Sequence, residues 1–393
     1  MAGVDKKAMA ALSSGHLATD LAQGALPALL PSLIVKFDLS YTMAAALVLA
    51  ATISSSLVQP AFGFWSDARG ALWLLPAGVA LAGVGMALAA VAPSYFLVVL
   101  AVLVSGLGVA AYHPEGSKFA SYVSGRRRAS GMAFFSVGGN IGFALGPVVA
   151  SGIVLALGLR GGLLLALPGL AVAAVLLAVR PYLEDFAPAA DADAREAAGP
   201  GRPDGLALLL GVVGLRSVAH MGLFTFVPLY EIARGHSEAR GTLLLSLFLL
   251  AGAIGTLFGG RFADRFGRRV VLLGSFVLAT PLILVYALAG GLVGEVALVL
   301  SGAAVIGTFG VSLVLSQEYM PGRVGMASGL SIGLAIGLGG VAALTLGAVA
   351  DAIDLETAVV ATAAGPALAF FVTLLLPPSP RRRPAEPVPA STY

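Results

Sequence analysis

Gly260-Arg261-Phe262-Ala263-Asp264-Arg265-Phe266-Gly267-Arg268-Arg269 joins two long apolar stretches, and Gly63-Phe64-Trp65-Ser66-Asp67-Ala68-Arg69-Gly70 joins two others. Both read G-x-x-x-D-x-x-G, and their first glycines, at 63 and 260, are 197 residues apart. A second echo, Ala129-Ser130-Gly131 against Ala327-Ser328-Gly329, has an offset of 198. Two echoes with nearly one offset indicate a duplicated unit of about half the chain. In membrane proteins such repeats place a binding site near the bilayer midplane, between halves that rock around it.

The surroundings of these loops identify the solvent. The 393 residues are 58% hydrophobic and 11% charged, with 51 glycines and a mean hydropathy of +0.96. A soluble domain carries about 25% charged residues, so a soluble enzyme of two or three domains is excluded. A crossing helix needs about 20 mainly apolar residues. Such blocks lie near 8–35, 41–65, 72–92, 95–117, 129–157 and 160–180, then near 206–232, 241–262, 270–290, 294–319, 325–350 and 355–377. The expected fold is therefore all-α and integral to the membrane, with twelve transmembrane helices in two pseudo-symmetric six-helix halves, 1–180 and 206–377. Residues 181–205 hold eight charged residues and four prolines, which reads as a cytoplasmic linker. The proline-rich tail 378–393, with Arg381, Arg382 and Arg383, reads as disordered.

Basic residues orient the chain. With an even number of spans, the termini and the loops on their side hold 18 of the 23 Lys and Arg residues. The opposite loops hold four, Lys36, Arg160, Arg234 and Arg240, and Arg216 lies inside a span. The positive-inside rule then predicts a multi-pass plasma (inner) membrane protein with both termini cytoplasmic. The pI near 9.3 comes from these short clusters, and no nucleic-acid partner is expected. The first span follows Lys6 and Lys7 but carries His16 and Asp20, so it reads as a retained helix and not a cleaved signal. No cysteine is present, no metal or cofactor is expected, and a monomer is expected.

The second loop, with Arg265 after its acid and Arg268-Arg269 after its glycine, resembles the signature loop of the major facilitator superfamily. The first departs from that pattern, with Ala68 where a basic residue is usual and no basic pair after Gly70. Three further stretches resemble the fosmidomycin-resistance, drug-efflux branch of that superfamily. They are Tyr112-His113-Pro114-Glu115-Gly116, Gly138-Gly139-Asn140-Ile141-Gly142-Phe143-Ala144-Leu145-Gly146-Pro147, and Gln317-Glu318 followed by Pro321-Gly322-Arg323-Val324-Gly325-Met326-Ala327-Ser328-Gly329-Leu330. The resemblance covers all twelve spans. It implies proton-coupled antiport of a small-molecule substrate, and it makes the Gly146-Pro147 region an antiporter feature. It also implies that Asp67, Arg69, Asp264, Arg265 and Arg268 latch the halves on the cytoplasmic side. On physical grounds the acids can cap helix N-termini or pair with arginines, while the arginines alone can serve only to enforce topology. Gln317 and Glu318, at the cytoplasmic end of the tenth span, join them as gating candidates.

Ionisable residues inside spans are costly and tend to face a cavity or a partner. His16 and Asp20 share a face of the first helix, four residues apart, as do Arg216 and His220 on the seventh. His113 and Glu115 lie toward the cytoplasmic part of the fourth. Asp20 and Glu115 are the first candidates for carrying a proton, because low dielectric favours the neutral form of a carboxylate. His113 and His16 come second. Arg216, too deep to snorkel, suits a phosphonate or carboxylate through its guanidinium fork, or else an ion pair with Asp20 or Glu115. His220, Tyr112 and Asn140 complete the substrate-binding candidates. Gly138, Gly142 and Gly146 on the fifth span, and Gly329, Gly333 and Gly337 on the eleventh, recur every fourth residue and predict close helix packing. Pro147 predicts a bend.

The resulting expectation is efflux of a small drug-like or phosphonate molecule by alternating access, conferring antibiotic resistance. The alternative is uptake or facilitated exchange of a small organic anion or metabolite. No H-E-x-x-H or nucleotide-binding P-loop pattern occurs, so neither an intramembrane metalloprotease nor an ATP-driven pump fits.

Overall fold

Helices carry this chain because hydrocarbon leaves a backbone no water to bond, so each crossing segment must satisfy its own N–H and C=O groups. The computed structural model describes residues 4–69, 71–125, 128–186, 201–320 and 324–377. Side chains 66–69, 128–130, 324–326, 328, 329, 332, 334 and 335 lie outside the description. The elements are α1 (Lys6–Phe37), α2 (Tyr41–Ser56), α3 (Gln59–Arg69), α4 (Leu74–Val91), α5 (Tyr95–Val123), α6 (Arg128–Gly161) and α7 (Ala166–Glu184). After the linker come α8 (Pro203–Ala233), α9 (Glu238–Phe266), α10 (Arg268–Ala289), α11 (Gly291–Gly307), α12 (Phe309–Tyr319), α13 (Val324–Ala352), α14 (Leu355–Ala361) and α15 (Ala364–Thr373). The linker segment 187–200 and the tail 378–393 lie outside the described residues.

Ten described stretches are long and apolar enough to cross a membrane. One of them, Gly131–Glu184, has 54 residues and contains two crossings, because Gly158 breaks the helix with φ 67° and ψ −177°. Helix α13 supplies the remaining crossing, giving the expected twelve. Three crossings are built from two helices each: α2 with α3, α11 with α12, and α14 with α15. The break in the fifth span lies at Gly158 and not at Pro147, which sits inside continuous helix. Helix α5 likewise runs through Pro114 to Val123.

Polar residues set the helix starts. Asp5, Ser40, Ser94, Ser237 and Asp354 cap α1, α2, α5, α9 and α14, each accepting a backbone N–H three residues on. The Ala8 amide, with help from the Tyr182 hydroxyl, holds the Asp5 carboxyl below its ordinary pKa. Large apolar residues such as Leu157, Leu177, Leu278 and Phe371 are more than half exposed around the outside, as a lipid-facing surface requires.

Helix pairing follows the repeat. The first span packs on the fifth (α1 on α6), and the seventh packs on the eleventh (α8 on α13). The third and fourth spans pair (α4 on α5), as do the ninth and tenth (α10 on α11). Between the halves, α2 meets α13 and α6 meets α9, two seams exchanged by the same pseudo-symmetry. The buried apolar residues are not evenly spread. Away from the chain termini, one continuous cluster joins the halves, with Leu29, Leu47 and Val102 from the first and Phe226, Phe248 and Leu298 from the second. Toward the termini each half keeps its own cluster: Leu12, Leu75 and Phe119 in one, Leu209, Phe276 and Tyr319 in the other. Among the described residues, apolar packing joins the halves at one end and divides into separate clusters at the other.

A carboxylate reinforces the fused end. Asp351, near the end of α13, accepts the backbone N–H groups of Tyr41 and Thr42, each at 2.8 Å, and the Thr42 hydroxyl at 2.5 Å. One half thus caps a helix N-terminus of the other. Glycines allow the seam beneath it. A Cβ at Gly347 would lie 2.9 Å from the Tyr41 carbonyl oxygen, and one at Gly340 would overlap the Thr52 hydroxyl.

Candidate functional site

The polar residues of α1 meet those of α5 inside the first half. Asp20 is held from both sides. His113 Nε2 lies 2.9 Å from its Oδ1, and His16 Nε2 lies 3.3 Å from its Oδ2. Each imidazole is anchored in turn at its other nitrogen: His16 Nδ1 lies 2.8 Å from the Phe135 carbonyl oxygen on α6, and His113 Nδ1 lies 3.2 Å from Gln59 Nε2 on α3. The Phe135 ring stacks on His16 at 4.2 Å. Four helices therefore converge on one carboxylate. Gly139 makes the room, since a Cβ there would sit 2.6 Å from Asp20 Oδ2. The ligand atoms of His16, Asp20 and His113 all lie within 4.8 Å of one another, a spacing that suits a shared ion or a shared proton. The hydrogen bond to His113 and the close ion-pair contact with His16 suit proton sharing.

Neighbouring candidates occupy other places. Tyr112 is wholly buried beneath His16 and donates its hydroxyl to the Leu12 carbonyl. Glu115 is also wholly buried and pairs with Lys118 at 2.9 Å on its own helix. Asn140 is half-buried on α6, one residue past Gly139.

The corresponding position in the second half has the opposite sign. Arg216 on α8 is 3% exposed, and its NH1 lies 3.2 Å from the Ser312 hydroxyl and 3.4 Å from that of Thr308. Its guanidinium also sits over the Phe309 ring at 5.3 Å. Thr308 occupies the break between α11 and α12, so the helix interruption brings both hydroxyls to the arginine. Among the described residues no carboxylate lies within 4 Å of Arg216, so the ion pair with Asp20 or Glu115 does not form here. His220, one turn on, buries Nε2 without a hydrogen-bond partner among the described residues. Phe143 of α6 bridges toward it, stacking on Phe224 at 5.0 Å with its ring centre 6.5 Å from that of His220. Neutral hydroxyls solvate a guanidinium without cancelling its charge. A buried cation in this state favours an anionic ligand.

The gating candidates divide. Arg268 pairs with Glu318 at 2.8 Å, and Arg269 donates to the Thr373 and Leu374 carbonyls, all within the second half. Asp264 and Arg265 are exposed, with Arg265 over the Phe266 ring. The side chains of Asp67 and Arg69 lie outside the described residues. The glycine stripe of α6 faces α1: a Cβ at Gly138, Gly142 or Gly146 would overlap the Ser13 carbonyl, the Leu17 carbonyl or the Gly24 backbone. On α13, Gly333 approaches Ser56, while Gly337 faces open space and Gly329 lies outside the description. The close approach there runs through Gly333, Gly340 and Gly347, every seventh residue.

Several contributors were not singled out in the sequence: Gln59, Phe135, Gly139, Thr308 and Ser312 at the two centres, and Asp351 at the fused end. A further buried acid, Glu231, pairs with His236 at 2.6 Å and accepts from Tyr286 at 3.1 Å. Its position beside the α8–α9 turn and its full set of partners make it a tie between α8 and α10.

Comparison with known proteins agrees with this architecture. The profile of the Major Facilitator Superfamily matches residues 12–344. The chain is 32% identical over 372 residues to the MFS-type transporter YfnC of Bacillus subtilis (strain 168), covering 92% of this chain and 90% of that one. It is 31% identical over 363 residues to the fosmidomycin resistance protein of Escherichia coli (strain K12), covering 88% and 87%. Among solved structures, a bacterial homologue of the human lysosomal transporter Spinster, inward-facing and occupied, superposes with a TM-score of 0.79 at 15% identity, covering 94% of this chain and 96% of that one. The outward-facing transporter FucP superposes with a TM-score of 0.64 at 18% identity, covering 94% and 98%.

Proposed function

The chain belongs to the major facilitator superfamily, whose members are multi-pass membrane transporters and not enzymes, and on that premise we propose that it exports a small drug-like or phosphonate molecule in exchange for protons. The observation that carries this reading is the pairing of two unlike centres in equivalent helices. Asp20, bridged by His16 and His113, can be neutralised by a proton. Arg216, which among the described residues meets the hydroxyls of Thr308 and Ser312 and the Phe309 ring, keeps its charge and calls for an anion.

In this reading the two halves, 1–180 and 206–377, rock about the site while the linker 181–205 and the tail 378–393 remain on the cytoplasmic side with both termini. Substrate enters from the cytoplasm between the two separate apolar clusters, and the fused end with Asp351 closes the outer side. Opening the outer side breaks that cap and brings the signature loops of Asp67 and Asp264 together as the inner latch. The protein works as a monomer in the inner membrane. Its similarity to a fosmidomycin resistance protein makes fosmidomycin the first probe.

Proteoliposomes with an imposed proton gradient test this. Fosmidomycin is expected to move against its own gradient, opposite in direction to the protons, and flux that ignores the proton gradient would refute the coupling. The buried cation at Arg216 also favours a second reading, uptake of a small organic anion. Probe and protons moving in the same direction would select it.

A further inference from the structure

Resting on the proton-coupled reading above, we propose that the transported proton is held between His16 Nε2 and Asp20 Oδ2, and that His113 is a neutral positioning residue locked by Gln59. The first step concerns His16. A backbone carbonyl oxygen can only accept, so the 2.8 Å contact with Phe135 requires that His16 Nδ1 carry hydrogen. If the ring were neutral and Asp20 ionised, the Nε2 lone pair would face a carboxylate oxygen at 3.3 Å. Two bare acceptors repel at that distance, so one proton belongs between them, on either atom.

His113 reads differently. The Gln59 amide nitrogen donates to Nδ1 at 3.2 Å, which leaves Nε2 as the protonated nitrogen donating to Asp20 Oδ1 at 2.9 Å. Both ring nitrogens are then satisfied in a neutral imidazole, with no place for a second proton. The charged and titratable groups nearby fit this assignment. On α5, the Tyr112 hydroxyl is committed to Leu12, and Glu115 pairs with Lys118. On α8, Arg216 is turned to Thr308 and Ser312, and His220 packs near Phe143. Among the described side chains near the centre, α3 contributes Gln59 and α6 contributes Phe135 and Gly139, none of which titrates.

The arrangement links the proton to movement. When it leaves, His16 stays neutral through Nδ1–H, Asp20 becomes a full carboxylate, and the pair loses one positive charge. The two acceptors then separate. His16 remains tied to α6 through Phe135, and Asp20 remains tied to α5 through His113, so deprotonation breaks the side-chain link on α1 between those two ties. Helix α6 forms one of the two seams with the other half, through α9.

Nitrogen-15 NMR of the full-length protein, labelled only at histidine and titrated without substrate, tests the assignment, since the chain has just 4 histidines. His16 is expected to change between a doubly protonated ring and the Nδ1–H tautomer, and Asp20→Asn to abolish the doubly protonated signal. His113 is expected to keep the Nε2–H tautomer throughout. A His113 ring that charges, or a neutral His16 protonated at Nε2, would overturn the assignment. A flux pair gives a second check. His113→Gln, which retains a donor but cannot titrate, is expected to keep proton-driven transport, and His16→Gln to lose it. The reverse pattern would overturn the proposal. Proton-driven flux with His113 as the charging ring would defeat this assignment and leave the exporter standing. Uncoupled flux with the expected histidine pattern would defeat the exporter, and with it the claim that this proton is transported.

Discussion

The first helix of each half carries two polar residues four apart, His16 with Asp20 on α1 and Arg216 with His220 on α8. One scaffold therefore holds opposite chemistries. In the first half an acid is shared between two imidazoles. In the second an arginine has, among the described residues, hydroxyls and an aromatic face. The difference is physical. A carboxylate in low dielectric can shed its charge by taking up a proton, whereas arginine cannot shed its own and must be matched by an anion. Duplication supplies two equivalent helices, and unlike charges give them different ligands.

Four changes break or sharpen this contrast. The largest effect is expected from Asp20→Asn, which removes the proton-accepting group while keeping the shape. Proton-driven accumulation of fosmidomycin in proteoliposomes should disappear, and exchange of labelled for unlabelled compound should continue. Next comes Arg216→Ala. Removing one partner of a buried charged contact costs about 3 kcal/mol, so fosmidomycin affinity measured by calorimetry should fall roughly 100-fold. Arg216→Lys should restore only part of it, because an ammonium lacks the guanidinium fork.

Third, Gly139→Ala places a methyl group 2.6 Å from Asp20 Oδ2. Such overpacking costs about 1–3 kcal/mol, seen as a lower unfolding temperature. Gly211→Ala on α8, where a Cβ meets nothing within 4 Å, should leave that temperature unchanged or raised. The smallest effect is expected at the fused end. Asp351→Asn weakens an exposed helix cap by about 1 kcal/mol, which shifts the balance between inner-open and outer-open forms roughly fivefold. Because the natural chain has no cysteine, a single cysteine introduced near Tyr41 can report outer opening by its labelling rate.

The fold was legible in the sequence because lipid imposes a length and a composition on every crossing, and because the two loops kept their glycines and acids through duplication. His16, Asp20, His113 and Arg216 were legible for a related reason, since ionisable groups are rare within apolar stretches. Their partners were not. Gln59, Thr308 and Ser312 are ordinary in such helices, and the Phe135 carbonyl leaves no mark in a sequence at all. Spacing also misled on α13. A four-residue glycine period points to Gly333 and Gly337, but the antiparallel seam with α2 uses Gly333, Gly340 and Gly347, a seven-residue period. Glu115 looked equivalent to Asp20 until its helix placed Lys118 against it. Asp351 gave no signal in the sequence, because its partner lies about three hundred positions away.

The division of labour between the halves is tested most directly by counting protons exchanged when fosmidomycin binds the purified protein in unbuffered detergent solution. The account predicts that binding to the natural protein changes the number of bound protons. It predicts that Asp20→Asn still binds the compound with no proton exchange, and that Arg216→Ala loses the binding. Proton exchange persisting in Asp20→Asn, or normal binding by Arg216→Ala, would contradict it.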